Sequence, residues 1–93
     1  MMIGIGEVDL QANWVHSLKE KRMIVQSLIK RVQNKFNVSI AEVDNQDKHQ
    51  IVTLGISCVS NSTAHANEVI QHVINFIESN TDAVLIDFHI EII

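Results

Sequence analysis

The sequence predicts an α+β fold in which two helices pack on one face of a four-stranded antiparallel sheet, and three observations carry that prediction. Residues Met2–Leu10 and Ala83–Ile93 alternate between core-type and other residues with the period of two that a half-buried strand requires. Ser17–Asn34 and Thr63–Ser79 instead repeat their apolar residues at helical spacing. Between the two helical segments, a pair of strand-like runs flanks a short polar turn. The resulting order, β-α-β-β-α-β, is the split βαβ or ferredoxin-like sandwich.

Each element follows from local chemistry. After the first strand, Gln11–His16 reads as a loop, and Ser17 with Glu20 spells the S-x-x-E capping box that starts a helix. Leu18, Val25, Leu28, Ile29, Val32 and Phe36 then fall on one side of that helix as its buried stripe. Val38–Asp44 and Gln50–Ser60 read as strands joined by the turn Asn45–His49, a β-hairpin. The second helix takes Ser62 or Asn61 as its cap and turns Val69, Ile70, Val73, Ile74 and Ile77 inward. In the last strand Val84, Ile86, Phe88, Ile90 and Ile92 share one side, expected to face the helices, and Asp87, His89 and Glu91 share the other. The usual strand order for this topology is four, one, three, two, so the second and fourth strands are expected at the edges.

Composition bounds the class. Ninety-three residues, 46% of them hydrophobic and interleaved with charge, fit a single domain over 1–93 and exclude both a disordered chain and a membrane span. No charged-then-apolar leader is present, so a cytoplasmic location is expected. The single cysteine, Cys58, excludes an internal disulfide and a multi-cysteine zinc site, and it lies mid-strand on the side of Leu54 and Ile56 as a small core residue. No cofactor is expected.

Charge is distributed unevenly. Six of the seven Lys and Arg residues, Lys19, Lys21, Arg22, Lys30, Arg31 and Lys35, lie in Ser17–Lys35 against the single acid Glu20. That stretch is +5, and since the chain totals −4, the remainder carries −9. Local potential rather than net charge decides docking at separations near the Debye length, so a basic helix on an acidic protein is a candidate binding surface. Lys19, Lys21 and Arg22 also sit near the helix N-terminus, where the macrodipole disfavours cations by roughly 0.3–1 kcal/mol each. A bound anion would offset that cost and meet the free N–H groups there.

By the same alternation Glu7 and Asp9, Glu42 and Asp44, and Asp87 and Glu91 are expected on the open sheet face, together with Thr53 and Ser57. That face is then acidic and lacks aromatic side chains, which disfavours base stacking on the sheet in the manner of an RNA recognition motif.

The strings Ser17-Leu18-Lys19-Glu20-Lys21-Arg22 and Phe36-Asn37-Val38-Ser39-Ile40-Ala41-Glu42-Val43-Asp44, with Thr53-Leu54-Gly55 and Val59-Ser60 beyond, span nearly the whole chain. In these the sequence resembles the YlxP-like family of bacterial proteins of unknown function. The resemblance implies a ferredoxin-like sandwich. Through the family's usual gene neighbourhood, beside translation initiation factor two and ribosome-binding factor A, it also implies a link to translation or ribosome maturation. It carries no catalytic residue. The family often has a tryptophan where this chain has His49.

Three functional expectations follow. The first is a non-catalytic module that docks on structured RNA or a ribosomal precursor through Lys19, Lys21, Arg22, Lys30, Arg31 and Lys35. Trp14 on the preceding loop would either stack on a base or close the end of the core. The second is a protein-interaction module whose acidic face of Glu7, Asp9, Glu42, Asp44, Asp87 and Glu91 receives a basic protein. The third is an enzyme or small-anion binder at the N-terminus of the first helix. Acylphosphatases share the topology, but Gln11–His16 lacks the glycines and arginine of their phosphate loop. His65, Glu68 and His72, at i, i+3 and i+7, read as a polar helix face rather than a metal site. A weak homodimer through an edge or the C-terminal strand is expected, since Ile90, Ile92 and Ile93 make the chain end apolar.

Overall fold

A computed structural model describes residues 1–93. The elements run β1 (Met2–Gln11), α1 (Leu18–Lys35), β2 (Ser39–Asp44), β3 (Ile51–Ser60), α2 (Thr63–Ser79) and β4 (Val84–Ile92). The strands form one antiparallel sheet ordered β2-β3-β1-β4, with β2 and β4 at its edges as the sequence leads one to expect. Both helices cover one face.

The helix ends are set by side-chain oxygens. Ser17, extended at φ −150°, accepts from the Glu20 N–H at 3.1 Å, and Ser62 accepts from the His65 N–H at 3.2 Å. Each satisfies an N–H that has no partner within its helix, worth about 1 kcal/mol. Ser62, not Asn61, is the cap of α2.

The core lies between the sheet and the helices. Val8, Leu10, Leu54 and Ile56 from the central strands meet Val25, Leu28 and Val32 of α1 and Ile70, Val73, Ile74 and Ile77 of α2. Removing each such side chain from water contributes roughly 1.5–3 kcal/mol. Leu18 and Ile29, assigned to the α1 stripe from sequence, are only half-buried, and Lys21 takes a place in the stripe instead. At Gly4 and Gly6 helix α2 lies against the β1 backbone. A Cβ at Gly6 would fall 2.7 Å from Ile70 Cγ2, and one at Gly4 would fall 3.2 Å from the Ala66 carbonyl oxygen.

Two irregularities in the sheet change which way side chains face. Pairing of β1 with β4 shifts between Asp9 and Leu10: Asp9 lies opposite Asp87 but Leu10 lies opposite Leu85, leaving Ile86 as an extra residue. Beyond this bulge the alternation resets. Leu85 packs on the core, while Val84, opposite Gln11, is 62% exposed on the open face. Val84 and Ile86 therefore do not join Phe88, Ile90 and Ile92 on the helix side. Asp87, His89 and Glu91 are exposed, as the alternation requires. The second shift, between Glu42 and Asp44, makes Val43 the extra residue. It moves Asp44 to the open face, whereas Glu42, ahead of the bulge, keeps the side of the buried Ile40 and lies opposite the buried Leu54 on the helix side, not on the expected open face.

Candidate functional site

Residues of α1 that the sequence groups as one basic set divide into two. Lys21 is 2% exposed and is not a surface cation. Its Nζ donates to the backbone carbonyls of Asn45 and Lys48, both at 2.6 Å, and lies 2.8 Å from Glu42 Oε2. Two of the three ammonium N–H groups are thus taken by carbonyls, and Glu42 Oε2 supplies the opposite charge without accepting a hydrogen bond. The turn that supplies the carbonyls places Asn45 at φ 57°, a left-handed conformation that asparagine tolerates. Lys21 and Glu42, expected on two different binding surfaces, are thus partners in one internal ion pair. A signal for this was present: Lys21, Val25, Leu28 and Val32 stand at i, i+4, i+7 and i+11, so the lysine sits on the buried stripe.

The remaining cations face solvent. Lys19, Arg22 and Lys30 are exposed on the outer side of α1. Arg31 and Lys35 lean toward α2: Arg31 Nη1 donates to the Asn80 carbonyl at 3.2 Å, and Lys35 Nζ lies 4.9 Å from the centre of the Phe76 ring. None of these five is paired with a carboxylate, since the ion pairs present are Lys21–Glu42 and His89–Glu91. The outer surface of α1 carries these cations against the single acid Glu20.

Trp14 lies beside this surface. The loop carrying it is anchored from both sides, with Ala12 and Val15 buried and Gln50 Nε2 donating to the Asn13 and Val15 carbonyls at 3.0 and 3.1 Å. That anchoring turns the Trp14 ring outward, 44% exposed, so it does not close the core. With Met23, Ser27, Arg31 and Asn80–Asp82 it lines an open cleft of about 370 Å³. An aromatic plane and an arginine, separated in sequence, thus share one recess next to the exposed cations.

The open sheet face concentrates its carboxylates toward one end, with Glu91, opposite Ile5, apart from them. Asp44, Thr53, Asp9 and Asp87 lie opposite one another in a row across all four strands, and Glu7 lies opposite His89. Thr53 Oγ1 donates to Asp9 Oδ1 at 2.7 Å, and Asn45 Nδ2 donates to Thr53 Oγ1 at 2.8 Å. Toward the other end the face is apolar and small. Ile3 lies opposite Val59, and Val43 covers Gly55, beside a shallow groove of about 410 Å³. Sequence alternation gave an acidic face throughout; Glu42 is absent from it, while Glu7, Asp9, Asp44, Asp87 and Glu91 are on it. No aromatic ring lies there, since Phe36 and Phe76 pack edge-to-face on each other and Phe88 lies opposite the buried Val8 on the helix side.

Elsewhere His65 Nδ1 is hydrogen-bonded with Ser60 Oγ at 2.8 Å, and no group of His, Cys, Asp or Glu is gathered in a way that could hold a metal ion. Cys58 is buried in the core. No helix is long and apolar enough to cross a membrane.

Comparison with known proteins places this geometry in context. A family model described as a protein of unknown function, DUF503, matches residues 3–90. The chain is 44% identical over 78 residues to the uncharacterized protein YlxP of Bacillus subtilis strain 168, covering 84% of this chain and 85% of that protein. In structure it is similar to a de novo designed protein with a ferredoxin fold, solved by solution NMR, with TM-score 0.60 at 15% identity, covering 98% of this chain and 85% of the designed one. That likeness concerns the fold alone.

Proposed function

We propose that this chain, which belongs to the DUF503 family of proteins of unknown function, is a non-catalytic module that docks on structured RNA through α1. In this reading Lys19, Arg22, Lys30, Arg31 and Lys35 contact phosphates, and Trp14 stacks on an unpaired base held in the cleft it shares with Arg31. The observation that carries the reading is that these five cations on an otherwise acidic chain have no carboxylate partner. A mixed, self-paired surface would neutralise itself, whereas this one retains its field for an external anion. Phosphate contacts of this kind supply affinity and orientation without reading sequence, so shape would select the target. A folded ribosomal RNA precursor in the cytoplasm is such a target.

The carboxylates of the open face favour a second reading, docking of a basic protein on Glu7, Asp9, Asp44, Asp87 and Glu91. Binding of a structured RNA measured across a salt series separates the two. A steep decline of log affinity with log salt that flattens when Lys19, Arg22 and Lys30 are replaced by Gln supports the RNA reading. Absence of RNA binding at low salt overturns it.

A further inference from the structure

We infer that β4 is a self-pairing edge and that two copies of this chain join through it, antiparallel, about a two-fold axis at Ile90. The two edges of the sheet differ in how they are protected. β2 has six residues and carries the bulge at Val43, a device that blunts an edge. β4 has nine residues and holds no proline, lysine or inward-pointing charge, and from Asp87 to Ile92 its pairing with β1 is regular. Its only bulge, at Ile86, lies near the start of the strand. Phe88 beside this edge is 49% exposed although it sits on the core side of the sheet. A long edge whose regular stretch carries neither proline nor lysine, and whose helix-side residues Phe88, Ile90 and Ile92 are apolar, is a template for another strand.

Register follows from hydrogen bonding and charge. Ile3 and Ile93 exchange both backbone hydrogen bonds, at 2.8 and 2.9 Å, so Ile93 directs its N–H and C=O toward β1. By alternation Glu91, His89 and Asp87 do the same, and Phe88, Ile90 and Ile92 direct theirs outward, free to pair. A two-fold axis must place residues of the same kind opposite each other, which leaves axes at Phe88, His89, Ile90 or Glu91. An axis at His89 sets histidine against histidine and Asp87 against Glu91, and one at Glu91 sets that carboxylate against its copy; both oppose like charges. An axis at Phe88 brings the bulged Ile86 opposite Ile90. The axis at Ile90 avoids these conflicts. It sets Phe88 opposite Ile92 twice, Ile90 opposite its copy, and His89 opposite Glu91 twice on the open face.

His89 and Glu91 already lie 3.9 Å apart within one chain, so the joint would gather two histidines and two carboxylates in alternation. The contact is isologous and closes on itself, fusing the two four-stranded sheets into one with all helices on the same face. Two copies of the α1 surface would then look in the same direction. The assembly itself stands independently of whether α1 binds RNA.

The test is light scattering and sedimentation of the full chain over a concentration series to the submillimolar range, with the fold checked by circular dichroism. Wild type is expected to shift from monomer to dimer. His89→Glu, at an exposed position that leaves the core untouched, replaces both His–Glu pairs by opposed carboxylates and should weaken the dimer by about tenfold. The double variant His89→Glu with Glu91→His restores a histidine–carboxylate pair at both places and should recover the wild-type dimer. Wild type that stays monomeric throughout overturns the inference. So does a dimer indifferent to both variants, which would place the interface elsewhere.

Discussion

Lys21 on α1 and Glu42 on β2 form a buried ion pair, Nζ to Oε2 at 2.8 Å, in which the lysine also holds the Asn45 and Lys48 carbonyls of the β2–β3 turn. One side chain therefore ties the first turns of α1 to the hairpin that forms one flank of the sheet. Breaking a buried pair by deleting one partner leaves a charge or a set of carbonyls without compensation.

Lys21→Met is accordingly expected to destabilise the fold by about 3 kcal/mol, since Glu42 retains some contact with water and can partly rehydrate. Glu42→Gln should cost less, because the two carbonyls continue to solvate the ammonium. Chemical denaturation of both single variants and the double variant measures the coupling. Additive losses would show that the pair is not coupled.

Lys19→Gln, Arg22→Gln and Lys30→Gln, made together, should leave stability nearly unchanged, since all three side chains are exposed and unpaired with carboxylates. RNA binding should weaken across unrelated sequences. The slope of log affinity against log salt should fall by about 2 for three contacts on a single strand, at roughly 0.7 each. Lys21 has to be left intact in this experiment, because its loss would confound binding with unfolding.

Trp14 is the only tryptophan, so its fluorescence reports on one place. Binding of single-stranded RNA should quench it, and Trp14→Ala should reduce affinity by roughly 1–3 kcal/mol while the melting curve stays close to wild type. Full-strength binding by Trp14→Ala would remove the ring from the interface.

Gly6→Ala should destabilise by about 1–3 kcal/mol, because its Cβ would meet Ile70 Cγ2 at 2.7 Å in a packed core. Combining it with Ile70→Val, which shortens the opposing side chain, should return part of the loss. Thermal unfolding of the two variants and their combination decides this, and equal stability of Gly6→Ala and wild type would refute the close approach.

The topology was legible in the sequence because it rests on period. Alternation in Met2–Leu10 and the helical spacing of Ile70, Val73, Ile74 and Ile77 are properties of consecutive residues, and each caps and turns with local chemistry such as Ser17 with Glu20. The strand order then followed from the connections. Alternation failed where the chain spends one residue outside the ladder. A bulge is decided by the partner strand, so nothing near Val43 or Ile86 announces that Asp44 will leave the side of Glu42 or that Val84 will face out, whereas the inward facing of Glu42 follows from its spacing of two from the buried Ile40.

The candidate site was legible as a charge distribution and not as a surface. Clustering of six cations in Ser17–Lys35 is a fact of the sequence, and the ferredoxin-like fold that presents them on a helix is also determined by it. Only the tertiary structure decided which of them remain available. It withdrew Lys21 by placing it on the stripe of Val25 and Val32, where a lone ammonium would be costly without oxygens, and it furnished those oxygens from Glu42, Asn45 and Lys48, more than twenty residues away. It likewise brought Trp14 and Arg31 to one cleft through anchoring by Gln50. Helical and strand periods reach only a few residues along the chain, whereas the partners that neutralise a charge or turn a ring outward arrive from other elements, and their arrival is what folding adds.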